Sequence, residues 1–154
     1  MYRRAGTCWT EDLVLRARYE RPAREAYPDL RHRRVQRRVG PVDVYTVAVP
    51  VPGYDPRTVT VEVERGQPNT VAVYADGPTD SPHRFGDRDR HRLCIWHPRD
   101  PDDRRWVPED GLLALLGMTA THLFKEAWWR EHGEWLGHEA PHTAAPVPET
   151  GKQP

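Results

Sequence analysis

A chain of 154 residues is about one domain long, enough to bury a core without disulfide support. Its 23 basic and 23 acidic side chains cancel, which argues against a general nucleic-acid binder, and no segment approaches the roughly 20 apolar residues needed to span a membrane. The two cysteines lie far apart and no basic-then-apolar leader is visible, which fits a cytoplasmic protein with reduced thiols.

In chain order, residues 10–21 read as a helix: Thr10 can cap it, Glu11 and Asp12 suit the dipole of its first turn, and Pro22 stops or restarts it. The basic string RHRRVQRR over residues 31–38 reads as a solvated face or edge strand rather than a phosphate grip, and residues 34–39 are a weakly supported first strand. Residues 42–49 are β-branched and aromatic, a buried strand. Val59, Val61 and Val63 alternate with polar residues, the pattern of a strand with one wet face, and residues 71–74 form another. Pro52-Gly53 and residues 66–69 are turn material, so the strands predict an antiparallel meander. Residues 76–103 are loop-like, broken by Leu93-Cys94-Ile95-Trp96. Pro108, followed by Glu109 and Asp110, opens a helix whose Leu112, Leu116, Ala120, Leu123 and Ala127 recur at helical spacing, with Leu113, Phe124 and Trp128 widening the stripe and Gly133 as its stop. Residues 143–154 are Pro-rich with no apolar pattern, a tail expected to be disordered and dispensable. The fold class is therefore α+β: helix, meander, long loop carrying a cysteine, helix.

Several candidate sites compete. His138-Glu139-Ala140-Pro141-His142 matches the HExxH string of zinc proteases, but that motif works only on a helix, and Pro141 opposes one. His91, Cys94 and His97 offer three zinc ligands, yet their side chains do not all converge on a strand of period two. No serine sits in a nucleophile elbow and no phosphate loop exists. Cys94 itself has two readings. Leu93 and Ile95 suit a buried core thiol, whereas Arg90, His91, Arg92 and His97 form a basic neighbourhood that favours a thiolate. Trp128, Trp129 and Trp135 can fill core, and Trp129 and Trp135 can equally mark a protein-contact surface.

The element order resembles the ubiquitin-conjugating-enzyme (UBC-like) fold. Members of that family carry a His-Pro-Asn motif, a short Gly-containing loop, and the nucleophile in Ile/Leu-Cys-Leu. This chain has Ser81-Pro82-His83-Arg84-Phe85-Gly86, a charged loop, then Leu93-Cys94-Ile95. Trp106 before Pro108 is similar to the tryptophan that precedes the helix after the active site. The block from His83 through LCIWHPRDPDDRRW to Trp135-Leu136 resembles, more narrowly, the bacterial conjugating-enzyme-like proteins of type II antiphage cyclic-oligonucleotide (CBASS) systems, with the likeness running over about residues 30–142 of a single domain spanning 1–142.

The resemblance implies an N-terminal helix, a four-strand meander, an active-site loop and C-terminal helices. It implies that Cys94 accepts, as a thioester, the C-terminus of a ubiquitin-like protein or of a partner nucleotidyltransferase, and passes the acyl group to an amine. His83 takes the position of the motif histidine, organising the loop or polarising the carbonyl. The chain departs from the family at Phe85, which stands where the asparagine donates to the oxyanion; His91 or a backbone amide is then expected to serve. The implied partners are proteins (an activating enzyme, and the modifier or nucleotidyltransferase), with no metal or small cofactor, no membrane and no direct nucleic acid. The other reading is a catalytically inactive scaffold that uses the same fold to hold a partner.

Overall fold

The structure, a computed structural model, describes residues 8–65, 70–86 and 90–137. Helix α1 runs Leu13–Ala26, and four long strands follow as a meander: β1 Arg31–Arg37, β2 Gly40–Val51, β3 Tyr54–Glu64 and β4 Val71–Ala75. Two short strands, β5 Arg84–Phe85 and β6 Arg92–Leu93, extend the sheet, whose antiparallel order is β1-β2-β3-β4-β6-β5. Two 3-10 turns then lead into helix α2, Gly111–His132. This is the expected α+β order, with one correction: among the described residues a single α-helix follows the cysteine loop, not several. The HExxH string and the tail expected at 143–154 lie outside the described residues.

The first helix starts later than its sequence suggests and continues past residue 21 to Ala26. Asp12, not Thr10, caps it, its carboxylate accepting from the amides of Val14 and Leu15 at 2.9 and 3.0 Å. Thr10 is instead buried beside the Cys8 thiol. Pro22 sits inside the helix rather than ending it. An interior proline costs about 3 kcal/mol, and tertiary anchors on both sides offset this: Ala23 is in the core, and buried Glu20 accepts from Arg16, from Arg24 and from the Tyr45 hydroxyl at 2.7 Å. Burial pushes the Tyr45 phenol far up, and its bond to the Glu20 carboxylate pushes the same way.

Alternation decides the layers. Tyr45, Val47, Val49 and Val51 of β2, Val59, Val61 and Val63 of β3, and Val71 and Val73 of β4 join one core cluster with Leu112, Leu115, Leu116 and Leu123 of α2. The helices thus cover one face of the sheet. The basic string is the edge strand it was expected to be. His32 and Arg34 of β1 and Arg65 after β3 all reach the fully buried Asp43 carboxylate, at 2.8, 3.4 and 3.0 Å. Leu113 departs from the predicted apolar stripe and is exposed.

Candidate functional site

A tight turn and a two-residue ladder bring the site together. Ser81 accepts from His83 through its hydroxyl (3.1 Å) and from Arg84 through its carbonyl (3.2 Å). The chain so turned enters β5, where Arg84 pairs with Leu93 and Phe85 with Arg92. One step beyond that ladder, the Cys94 amide donates to the His83 carbonyl at 2.8 Å. Antiparallel pairing therefore sets His83 beside Cys94 across eleven residues of chain, while buried Leu93 holds the strand down. Past the cysteine, residues 97–100 form a second turn: the Asp100 carboxylate accepts from the His97 amide (2.8 Å), and His97 Nδ1 accepts from the Arg99 amide (3.0 Å). An amide can only donate, so neutral His97 carries its hydrogen on Nε2.

Cys94 lies at the junction of two clefts. The first, about 240 Å³, is lined by Cys94, His83, His97 and Asp100 from the loops, Thr121, His122 and Lys125 from α2, and Trp135 from the segment after it. Trp135 arrives there because Gly133, at φ 74°, ends α2 in the left-handed conformation and turns the chain back. Its indole packs 3.9 Å from the His83 ring and 5.5 Å from His122, centroid to centroid. The second cleft, about 290 Å³, is more apolar. Val71, Val73, Phe85, Leu93 and Pro98 line it with Arg92, and it shares Cys94, Ile95 and Trp96 with the first. Both volumes fall below the roughly 300–1,000 Å³ of small-molecule sites. Trp106, buried beneath, donates to the Gly111 carbonyl at 2.8 Å and so ties the loop to the start of α2.

The thiol's electrostatics differ from the expectation. Cys94 is half-buried rather than displayed, and burial pushes its thiol above the ordinary value; Arg92 pulls down, Asp100 pushes up, and burial wins. The basic neighbours do not gather round the sulfur because their charges are used elsewhere. Arg90 bonds Glu62 at 2.6 Å and lies 3.9 Å over the Tyr74 ring, and Arg92 donates to the Val71 carbonyl at 2.7 Å. His91 is half-buried just before β6 and lines neither cleft. Phe85 is 52% exposed at the rim of the apolar cleft and has no polar atom to offer an oxyanion.

Under the first cleft lies a buried ionic group that the sequence reading missed. Arg84 and Glu126, whose side chains are both 0% exposed, form a two-pronged pair with bonds of 2.8 to 3.1 Å, and Arg84 also donates to the carbonyls of Ala75 and Asp76. His122 Nε2 lies 3.4 Å from the same carboxylate. Burial alone would raise the Glu126 carboxyl; the His122 and Arg84 groups outweigh it and bring it to about 2. A signal was present: Leu115, Thr119, His122 and Glu126 recur at helical spacing, so the apolar row of α2 continues as a polar one toward the cysteine. Of the predicted residues, then, the fold joins Cys94 to His83 and Trp135, leaves His91 and Trp129 outside the clefts, and adds His122, Lys125 and Asp100. Among the described residues no group of three or more His, Cys, Asp or Glu is arranged to hold a metal ion.

A meander covered by two helices, with a cysteine just past a short strand after it, is consistent with a conjugating-enzyme-like fold. The model of the family described as type II CBASS E2 protein matches residues 23–143, and the chain belongs to that family. Membership places it with the conjugating-enzyme-like proteins of CBASS defence and associates it with other CBASS proteins. No curated protein and no solved structure matches it. No helix among the described residues is long and apolar enough to cross a membrane.

Proposed function

We propose that the chain is an acyl carrier and transferase of CBASS defence, with Cys94 as nucleophile. The observation that carries this reading is the place of the sulfur, at the meeting point of an apolar cleft and a polar one. The apolar cleft fits the extended C-terminus of a ubiquitin-like protein or of a partner nucleotidyltransferase, activated beforehand by a separate protein. The polar cleft fits the incoming amine. Cys94 Sγ attacks the activated carbonyl, the leaving group departs, and the thioester keeps the acyl group reactive until the amine displaces the thiolate. A thiol raised by burial is a weaker nucleophile at rest and a poorer leaving group, so a loaded thioester would persist until an acceptor is correctly placed.

His83 holds the Cys94 strand through its carbonyl, and its ring lines the polar cleft with His122. These two imidazoles are better placed than His91 to receive the acceptor's proton or to donate to the oxyanion, which Phe85 cannot do. The experiment is co-expression with the cognate CBASS proteins, followed by electrophoresis without reductant. Soon after induction, wild type should carry an adduct that thiols cleave, Cys94→Ala none, and Cys94→Ser an ester that resists thiols. An adduct that survives Cys94→Ala would overturn the proposal. The scaffold reading rests on Phe85, and binding without any adduct would support it.

A further inference from the structure

We infer that Lys125 is an acceptor of the chain's own acyl group, so that a loaded Cys94 can pass its cargo to the Lys125 amine and lock it there as an amide. The inference rests on the thioester chemistry proposed above. It arises from a juxtaposition: Lys125 of α2 lines the same cleft of about 240 Å³ as the Cys94 thiol, one turn along from His122.

Three features set this lysine apart. The sequence holds only two lysines, Lys125 and Lys152; the rest of its 23 basic residues are arginines. A guanidinium stays protonated at neutral pH and does not attack acyl groups, whereas a lysine amine does so once it loses a proton. The chain is thus poor in side-chain amines, and places one of the two in the cleft of its thiol. The Lys125 side chain also makes no hydrogen bond or ion pair among the described residues, although Asp100 lines the same cleft. Asp100 accepts from the His97 amide, and Glu126 faces Arg84. Finally, Lys125 Nζ runs beside Gly137, where a Cβ would meet it at 3.3 Å, which places the amine beneath the segment that carries Trp135 into the cleft.

The chemistry balances without a further reactant. The Lys125 ammonium gives a proton to solvent or to the His122 imidazole, and Nζ attacks the thioester carbonyl. The new C–N bond forms, the C–S bond breaks, and Cys94 leaves as thiolate and takes up a proton. Thioester and ammonium become thiol, amide and one released proton. Two groups held in one cleft react at effective concentrations that reach about 10⁵–10⁸ M in the best-oriented cases, so a tethered amine can outrun amines in solution. The locked product occupies Lys125 and returns Cys94 free.

The test needs no cognate partner. Purified full-length protein is mixed with a short peptide ending in glycine, supplied as its mercaptoethanesulfonate thioester, which loads accessible thiols by exchange. Intact-mass and peptide-mapping spectrometry then follow thiol-cleavable and thiol-resistant adducts in the same sample. The expected result is a cleavable adduct on Cys94 that gives way to a resistant one on Lys125, exceeding that on Lys152 about tenfold or more, as tethering demands. Lys125→Arg should lack the resistant adduct relative to the cleavable adduct it forms, and Cys94→Ala should lack it altogether. Equal acylation of Lys125 in Cys94→Ala would show direct attack by the reagent and overturn the inference. A cleavable adduct on Cys94 with nothing resistant on Lys125 would overturn it while leaving the thioester reading intact. Failure of Cys94 to load at all would take both.

Discussion

Glu126→Gln tests the buried group beneath the cleft. The substitution keeps the shape of the side chain and removes its charge, leaving the Arg84 guanidinium wholly buried and without a counter-charge. Breaking a buried pair in this way costs about 3–5 kcal/mol. An independent route gives a similar figure: a carboxyl moved from its ordinary 4.5 to about 2 contributes about 3 kcal/mol at neutral pH. With an m-value of about 2 kcal/mol/M, a loss of about 3 kcal/mol lowers the urea midpoint by about 1.5 M. The sign of the pH dependence follows from the depressed value. The contribution is complete above pH 4.5 and is lost as the pH falls toward about 2. Urea titrations of wild type and variant should therefore differ fully at pH 7, and the gap should narrow steadily below pH 4.5. A loss at pH 7 no larger than the about 1 kcal/mol of an exposed pair, or a gap equally wide at both pH extremes, would refute the reasoning. The double substitution Arg84→Met with Glu126→Leu should recover much of the loss, because no unpaired charge remains.

Other expectations are simpler to check. Alkylation of Cys94 by iodoacetamide should still be accelerating at pH 9, because burial raises its thiol above the ordinary value of 9.0; a rate that levels off below that pH would contradict the half-buried placement. Trp135→Ala should speed the same alkylation by opening the cleft, with little change in helix content by circular dichroism, since Trp135 lies beyond the end of α2. Gly111→Ala should cost about 1–3 kcal/mol in thermal or urea unfolding: at φ 81° and ψ 169° the backbone itself is strained for any residue with a Cβ. Asp12→Ala should cost about 1 kcal/mol by removing the cap of α1, whereas Thr10→Ala should leave the helix start unchanged.

Whatever depends on short-range chemistry was legible in the sequence. Valines at every second position announce the meander strands, Pro52-Gly53 their turn, and Gly133 the end of α2, because side-chain alternation, hairpin geometry and a left-handed cap are each settled within a few residues. The family likeness, carried by His83, Cys94 and Trp106, was legible for the same reason: it is written in local strings. What the tertiary structure decided is everything set by residues distant in the chain. Pro22 stays helical because Glu20 and Ala23 are anchored by other elements. The basic neighbours of Cys94 do not activate it, because Glu62 and the Val71 carbonyl, far away in sequence, engage Arg90 and Arg92 first. His122 and Lys125 meet the cysteine only once α2 lies across the face of the sheet, and burial then pushes the Cys94 thiol up. Desolvation is a property of the packed whole, and no local string records it.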